Sequence, residues 1–132
     1  MITVLFACVH NAGRSQIAAA LFNELADPAK ARAISAGTNP ADRVHPDVVA
    51  LMLERGLDLT GHQPQKLTPA LAAGAQLLIT MGCGDECPIV PGTRRDDWPL
   101  PDPKGQPADA VRAIVAEIQA RVTRLIDASA WR

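Results

Sequence analysis

Near its start the chain holds a cysteine, an arginine six positions later and a serine directly after that, in the segment Cys8-Val9-His10-Asn11-Ala12-Gly13-Arg14-Ser15. An apolar run over residues 2–7 precedes this segment, and helical spacing begins at Ser15. We therefore predict a strand that ends at the cysteine, a loop, and a helix whose unpaired N–H groups and positive dipole end face that loop. Such a loop, here called the anion loop (residues 8–14), would hold a tetrahedral anion between sulfur and guanidinium.

The residue types of the anion loop suit nucleophilic chemistry. The field that attracts an anion also favours the thiolate form of Cys8, which is the form that attacks. Ser15 is placed to donate to the sulfur or to cap the first turn, and Asn11 to bond backbone in a left-handed conformation. His10, as a cation, would add attraction or recognise a partner, or it merely occupies a tolerant position. The alternative is a buried cysteine that ends a strand, with Arg14 in solvent.

A second group of thiols, Cys83 and Cys87, follows the third predicted strand. The intervening Gly84-Asp85-Glu86 would allow a turn or half-formed helix to bring the sulfurs within disulfide reach. Zinc is a competing interpretation, but zinc sites usually use Cys-x-x-Cys and a second pair, which this chain lacks. Two inert thiols are a further alternative, and a redox pair is the interpretation we favour.

The third candidate is Asp102, which precedes Pro103 in the proline-rich stretch Trp98-Pro99-Leu100-Pro101-Asp102-Pro103. A carboxyl group on a stiff loop that reaches over the anion would protonate a leaving oxygen as a general acid. Taken alone, the same residues are typical of an Asp-Pro turn or of the approach to the last helix. Asp96 and Asp97 are rival carboxylates.

Strand and helix signals alternate along the chain, which predicts an α/β fold with a parallel sheet and helices on both faces. In a 2-1-3-4 strand order the first and third strands are neighbours, so the Cys8 and Cys83 loops would share the carboxyl edge. A continuous apolar run predicts a strand over residues 2–7. A short second strand over 31–36, closed by Gly37, and a buried third strand over 77–81 are also predicted, with a brief strand near Trp98 within a mainly looped stretch, 82–108.

Helix signals begin at four places in the sequence. They are the spacing from Ser15, Pro46, the Thr68 cap before Pro69, and the stripe after Pro107. Val49, Met52 and Leu53 are predicted to form the apolar face of the second helix. We interpret Arg94-Arg95-Asp96-Asp97 as a mixed, solvated turn.

Length and composition limit the possible functions. With 132 residues, 48% of them hydrophobic, and a net charge of −1, residues 1–132 are expected to form one globular domain. The balanced charge argues against a nucleic acid or an acidic membrane as partner. Neither a spanning segment nor a signal peptide is apparent, and three cysteines do not suit a secreted disulfide framework. A cytoplasmic location is therefore expected.

Several segments together resemble arsenate reductases of the low-molecular-weight tyrosine phosphatase fold. They are residues 8–16, Ser35-Ala36-Gly37, His45-Pro46, residues 83–88 and Asp102-Pro103. The resemblance extends over nearly the whole chain. It implies a four-stranded parallel sheet, a phosphatase-type anion loop, and reduction of arsenate to arsenite without a bound cofactor.

The resemblance also implies roles for individual residues. Cys8 would attack arsenic, Arg14 would clamp arsenate, and Asp102 would protonate the departing hydroxide, while Asn11 and Ser15 organise the loop and sulfur. Cys83 would then attack Cys8, and Cys87 would attack Cys83, leaving a disulfide for thioredoxin to reduce. A related branch instead uses mycothiol with mycoredoxin and needs only the first cysteine.

Two features depart from the pattern of these relatives. Thioredoxin-coupled members space the last two cysteines more widely than the three residues found here. Ala19 stands where some relatives carry a glutamate of a potassium site, so no metal is expected.

Two other functions are compatible with parts of this pattern. A low-molecular-weight tyrosine phosphatase shares the cysteine, the arginine and the Asp-Pro acid, but such enzymes carry tyrosines after that acid and aromatic rings at the pocket mouth. This chain has no tyrosine, and Lys104 follows Pro103. The second is a non-catalytic redox or oxyanion sensor. The spare cysteines and missing tyrosines favour the reductase.

Overall fold

The computed structural model describes residues 1–82 and 93–132. Within them four strands form one parallel sheet in the order β2-β1-β3-β4, as the sequence predicts. The strands are β1 (Ile2–Cys8), β2 (Ala31–Gly37), β3 (Leu77–Thr80) and β4 (Arg94–Asp97). The two central strands, β1 and β3, are rich in large apolar side chains, as expected of strands that are covered on both faces.

The helices of the described residues begin close to the positions that the sequence indicates. They are α1 (Arg14–Leu25), α2 (Pro46–Glu54), α3 (Pro69–Ala73) and α4 (Ala108–Ala128). At the start of α3 the Thr68 hydroxyl accepts a hydrogen bond from the Leu71 N–H at 3.1 Å. At the start of α2 the His45 ring nitrogen accepts from the Asp47 N–H at 3.2 Å, so this histidine caps the helix.

Side chains of β1 point alternately into two apolar clusters, one on each face of the sheet. Phe6 packs against Phe22 of α1 and against Trp98, with ring centroids 6.1 and 5.7 Å apart. On the opposite face Leu5 joins a smaller cluster with Ala72 of α3. Burial on both faces holds β1 rigidly, so the residue at its end has a fixed position.

The buried face of α2 differs from the predicted one. Val48, Leu51 and Met52 are buried, whereas Val49 is partly buried and Leu53 is 56% exposed. Met52 is therefore placed correctly, Val49 packs at the border of the core, and the prediction for Leu53 is wrong. Val48, Leu51 and Met52 follow the i, i+3, i+4 spacing of one helix face, and the predicted set was rotated toward solvent by one residue.

The interpretation of residues 94–97 as a solvated turn was wrong, although a brief strand near Trp98 is confirmed. These residues form β4, which pairs in parallel with β3 and ends directly before Trp98. All four side chains are exposed, and β4 lies at the edge of the sheet as the structure describes it. Backbone hydrogen bonding to a buried neighbour therefore forms this strand, and hydropathy carries no signal for it.

Among the residues described, no helix combines the length and the apolar character needed to cross a membrane.

Candidate active site

Cys8 lies at the carboxyl end of β1, with β2 and β3 on either side. The register pairs Cys8 with Gly37 of β2 and the preceding Ala7 with Thr80 of β3. Cys8 is 2% exposed, and its Sγ lies 2.9 Å from the Ser15 Oγ in the first turn of α1. The thiol therefore faces a hydroxyl group that can donate to it.

Asn11 gives the anion loop its shape. Its φ of 50° lies in the left-handed region, which asparagine tolerates better than most residues, as predicted. Its side-chain N–H donates to the Ser15 Oγ at 2.7 Å, and its Oδ1 accepts the Gln65 backbone N–H at 3.0 Å. Of the two roles considered for Ser15, the structure shows the contact with sulfur; the N-cap of α1 is Gly13, which makes no side-chain cap.

The outer side of the anion loop is bonded to the segment between β2 and α2. The carbonyls of Val9, His10 and Ala12 accept backbone N–H groups of Asn39, Ala41 and His45 at 2.8, 3.0 and 2.8 Å. The loop is thus fixed from the side as well as from its two ends.

Close approach also requires glycine at position 37. A Cβ there would lie 2.6 Å from the Val9 carbonyl oxygen and 2.8 Å from the Asn11 nitrogen. Because both are backbone atoms of the anion loop, any side chain would displace the loop itself.

Arg14 is buried, with 7% of its surface exposed. Its guanidinium donates to the Leu100 carbonyl at 2.8 Å, and it also packs so closely over Gly82 that a Cβ there would collide with it. Gly82 has a φ of 100°, a second reason for glycine at that position. These contacts hold the guanidinium beside the carboxyl ends of the strands, where Cys8 lies.

Asp102 is exposed and lies on the loop formed by residues 98–104, here called the acid loop. Its Oδ1 accepts the Lys104 backbone N–H at 3.0 Å, and the next residue, Pro103, is buried against the anion loop. A Cβ on Gly13 would come within 2.8 Å of the Pro103 Cγ. The Asp-Pro pair therefore places a carboxylate at the rim of the loop that holds Cys8.

A cleft of about 540 Å³ brings these groups together. Cys8, Arg14 and Asp102 line it, as do the other anion-loop residues His10, Ala12 and Gly13. Its remaining wall is formed by Asn39, Pro40, Ala41, Asp42, Arg43, His45, Pro46, Pro103 and Lys104. None of these described lining residues carries an aromatic ring larger than imidazole.

The rival carboxylates do not line this cleft. Asp96 accepts the Trp98 indole N–H at 3.1 Å and the Asp97 backbone N–H at 2.8 Å. The Thr80 hydroxyl donates to the Asp97 carboxylate at 2.5 Å. Both groups thus serve the packing of β4 and Trp98, and of the three candidates it is Asp102 that shares a cleft with Cys8.

His10 also lines the cleft, with its Nδ1 3.1 Å from the Asn39 carbonyl oxygen. Val9 lines a separate depression beside Thr38.

The predicted pair Cys83 and Cys87 lies outside the described residues. Within the described ranges there is no cluster of three or more His, Cys, Asp or Glu side chains that would hold a metal ion. At position 19, buried Ala19 has no side-chain oxygen, so it does not replace the glutamate ligand of the potassium site of some relatives.

Sequence reasoning missed three contributors to this site. The Leu100 carbonyl, which fixes Arg14, is a backbone group and leaves no sequence signal. Gln65 acts on Asn11 through its N–H from 54 positions away. Gln16 adjoins the motif and donates to both Asn11 oxygens at 3.2 Å, so its position next to Ser15 was the available hint.

Comparison with known proteins gives consistent matches. The family described as low molecular weight phosphotyrosine protein phosphatase matches residues 3–130. A Halobacterium salinarum protein provisionally named as an arsenate reductase is 36% identical over 92% of this chain and 89% of its own. A glutaredoxin arsenate reductase of Synechocystis is 33% identical over 93% of this chain and 95% of its own.

Among solved structures, a thioredoxin-dependent arsenate reductase of Corynebacterium glutamicum superposes with a TM-score of 0.84 at 40% identity. The match covers 97% of this chain and 61% of that longer one.

Proposed function

This chain belongs to the low molecular weight phosphotyrosine protein phosphatase family, and we propose that within it the chain is an arsenate reductase that converts arsenate to arsenite. The observation that carries the proposal is one cleft that holds a buried thiol, a buried guanidinium and an exposed carboxyl group on a stiff loop. The names of the relatives in Halobacterium, Synechocystis and Corynebacterium support arsenate as the substrate.

The first step uses the three groups in the cleft. The Cys8 thiolate attacks arsenic of arsenate bound between the anion loop and Arg14, and a sulfur–arsenic bond forms. An As–O bond breaks, and Asp102 supplies the proton with which that oxygen leaves as water. The Ser15 hydroxyl, 2.9 Å from the sulfur, stabilises the thiolate before attack.

The second step transfers electrons. The Cys83 thiolate attacks the Cys8 sulfur and a Cys8–Cys83 disulfide forms, while the electron pair of the sulfur–arsenic bond passes to arsenic, so As(V) leaves as As(III), arsenite. Cys87 then attacks Cys83, releasing the Cys8 thiolate and leaving a Cys83–Cys87 disulfide. Cys83 and Cys87 lie outside the described part of the chain, and their roles are those that the resemblance to arsenate reductases implies.

An external thiol must reduce that disulfide. We propose thioredoxin as the reductant, which the name of the Corynebacterium relative supports. The name of the Synechocystis relative supports glutaredoxin as the alternative, and mycothiol with mycoredoxin is the third possibility considered for this fold.

Phosphotyrosine hydrolysis is the main competing function, since it uses the same cysteine, arginine and acid. The cleft argues against it, because the lining residues that the structure describes include no phenyl or indole ring on which a phosphotyrosine would stack. A tetrahedral oxyanion alone needs no such wall.

Parallel assays separate these functions. Arsenite formation is measured with thioredoxin, with glutaredoxin plus glutathione, and with mycothiol plus mycoredoxin, beside hydrolysis of p-nitrophenyl phosphate. We expect sustained arsenite formation with thioredoxin and slow phosphate release. Rapid phosphate release without arsenite would instead identify a phosphatase, and anion binding without either product would identify a sensor.

The cysteine relay has its own test. Cys87→Ser is expected to complete about one turnover and to accumulate a Cys8–Cys83 disulfide, which peptide mapping detects. Continued turnover of Cys87→Ser with mycothiol would show that an external thiol replaces the internal relay.

A further inference from the structure

Gln16, the third residue of α1, is buried with 3% of its surface exposed. An uncharged amide in such a position is costly unless its N–H groups are bonded. Its Nε2 lies 3.2 Å from the Asn11 backbone oxygen, 3.2 Å from the Asn11 Oδ1 and 3.5 Å from the Gln63 carbonyl oxygen. Three oxygens thus surround one amide nitrogen, which identifies that nitrogen as the donor.

Two of these oxygens belong to the residue that bends the anion loop. Asn11 is held at a φ of 50°, and Gln16 bonds its main chain and its side chain at once. The backbone N–H of Gln65 donates to the same Oδ1 at 3.0 Å. A main-chain N–H is always a donor, so the Asn11 side-chain oxygen, Oδ1, must be the atom that faces Gln16 and Gln65.

The direction of the Asn11 amide decides the direction of the next hydrogen bonds. With Oδ1 turned to Gln16 and Gln65, Nδ2 points at the Ser15 Oγ, 2.7 Å away, and donates to it. Ser15 has a single proton, and an oxygen that already accepts a bond is free to donate that proton to the Cys8 sulfur at 2.9 Å. The chain of donors therefore ends on the nucleophile.

We infer that Gln16 is a positioning residue for the nucleophile: it fixes the Asn11 amide so that Ser15 donates to Cys8 and holds it as the thiolate. This inference rests on the proposed function, in which the Cys8 thiolate attacks arsenate. Gln16 does not line the cleft and acts only through Asn11 and Ser15.

A substitution of similar length tests this role. Gln16→Met keeps the side chain's size but removes the N–H donors, and Cys83→Ser with Cys87→Ser leaves Cys8 as the one thiol of the chain. We expect iodoacetamide to alkylate Cys8 about threefold to tenfold more slowly at neutral pH in Gln16→Met, because one hydrogen bond of ordinary strength has been lost. The difference should disappear at alkaline pH, where a thiol ionises with or without a hydrogen-bond donor beside it.

Asn23 provides the matched control on the same helix. Its amide is partly buried and bonds the main chain of Ala33 at 3.0 and 2.8 Å, away from the anion loop. Asn23→Leu should lower the melting temperature while leaving the alkylation rate unchanged. The inference is overturned if Gln16→Met alkylates at the parental rate at neutral pH, or if Asn23→Leu slows alkylation equally.

Alkylation requires no arsenate, so this result is independent of the reductase assay. A protein that fails to reduce arsenate but shows the predicted alkylation rates would contradict the proposed function and retain the role of Gln16.

Discussion

The anion loop and the acid loop meet at one cleft, but different forces hold them in place. Cys8 and Asn11 of the anion loop and Ser15 in the first turn of α1 are buried, and their side chains are bonded to one another. In the acid loop Asp102 is exposed, and its position follows from buried Pro103 and from the bond between Arg14 and Leu100. A nucleophile that must stay ionised needs a dense set of donors, whereas an acid that gains and loses a proton benefits from contact with water.

The largest effect should come from removing the nucleophile of the anion loop. Cys8→Ser is expected to abolish arsenite formation, because a serine hydroxyl is far less ionised and cannot form the disulfide of the second step. Phosphate should still bind, since Arg14 and the loop backbone are unchanged. Turnover assays and calorimetric titration with phosphate check both outcomes, and residual turnover at the parental rate would exclude Cys8 as nucleophile.

A smaller loss should follow from disabling the acid loop without moving it. Asp102→Asn keeps the oxygen that accepts the Lys104 N–H but cannot supply a proton. Turnover should fall by about 10²-fold or more, with little change in melting temperature.

Asp42→Asn is the control for this change, since Asp42 is an exposed carboxylate that lines the same cleft. If the two variants lose equal activity, the effect reflects the charge of the cleft and not proton transfer from Asp102.

The rigidity of the anion loop can be tested from β2. Gly37→Ala places a Cβ within 2.6 Å of the Val9 carbonyl oxygen, so the loop must move. We expect the free energy of unfolding to fall by about 1–3 kcal/mol, together with weaker phosphate binding. Urea denaturation measures the first quantity and calorimetry the second.

Gly61→Ala is the control, because nothing lies within 4 Å of a Cβ at position 61. Its effect on stability should stay within about 0.5 kcal/mol. Equal losses in the two variants would mean that the close approach of Gly37 to the loop is unimportant.

The smallest effect is expected outside both loops, at Asp58. Hydrogen bonds from the Thr60 hydroxyl and backbone N–H lower the pKa of this exposed carboxyl group. A lowered folded-state pKa stabilises the protein above the ordinary aspartate pKa, and this contribution is lost as the pH falls through the folded-state value. Asp58→Asn should therefore melt slightly lower than the parent at neutral pH and equally in acid. A gap that widens in acid would contradict this sign.

The same contrast explains what the sequence could predict. Cys8, Asn11, Arg14 and Ser15 lie within one strand–loop–helix segment, so local patterns suffice to place them. The acid loop, in contrast, is held by contacts between distant positions: Arg14 and Leu100 are 86 residues apart in the sequence. The proline neighbours of Asp102 alone indicate an ordinary turn, so from the sequence it is a candidate acid only when paired with the cysteine loop, and its place in the cleft required the tertiary structure.

The edge strand β4 and the backbone contact of Gln65 were also hard to predict, because both depend on residues that are distant in the sequence. β4 consists of charged, exposed residues whose strand geometry comes from pairing with β3. Hydropathy reports burial, and a strand without a buried face gives no alternation. The role of Gln65 likewise depends on its backbone N–H, which every residue except proline has.

Thiol counting after exposure of the reduced protein to limiting arsenate, without any external reductant, tests the central claim most directly. The account predicts one arsenite formed and two thiols lost for each arsenate consumed, with the disulfide mapped to Cys83 and Cys87. Arsenate recovered unchanged, with all three thiols of the chain still free, would contradict it.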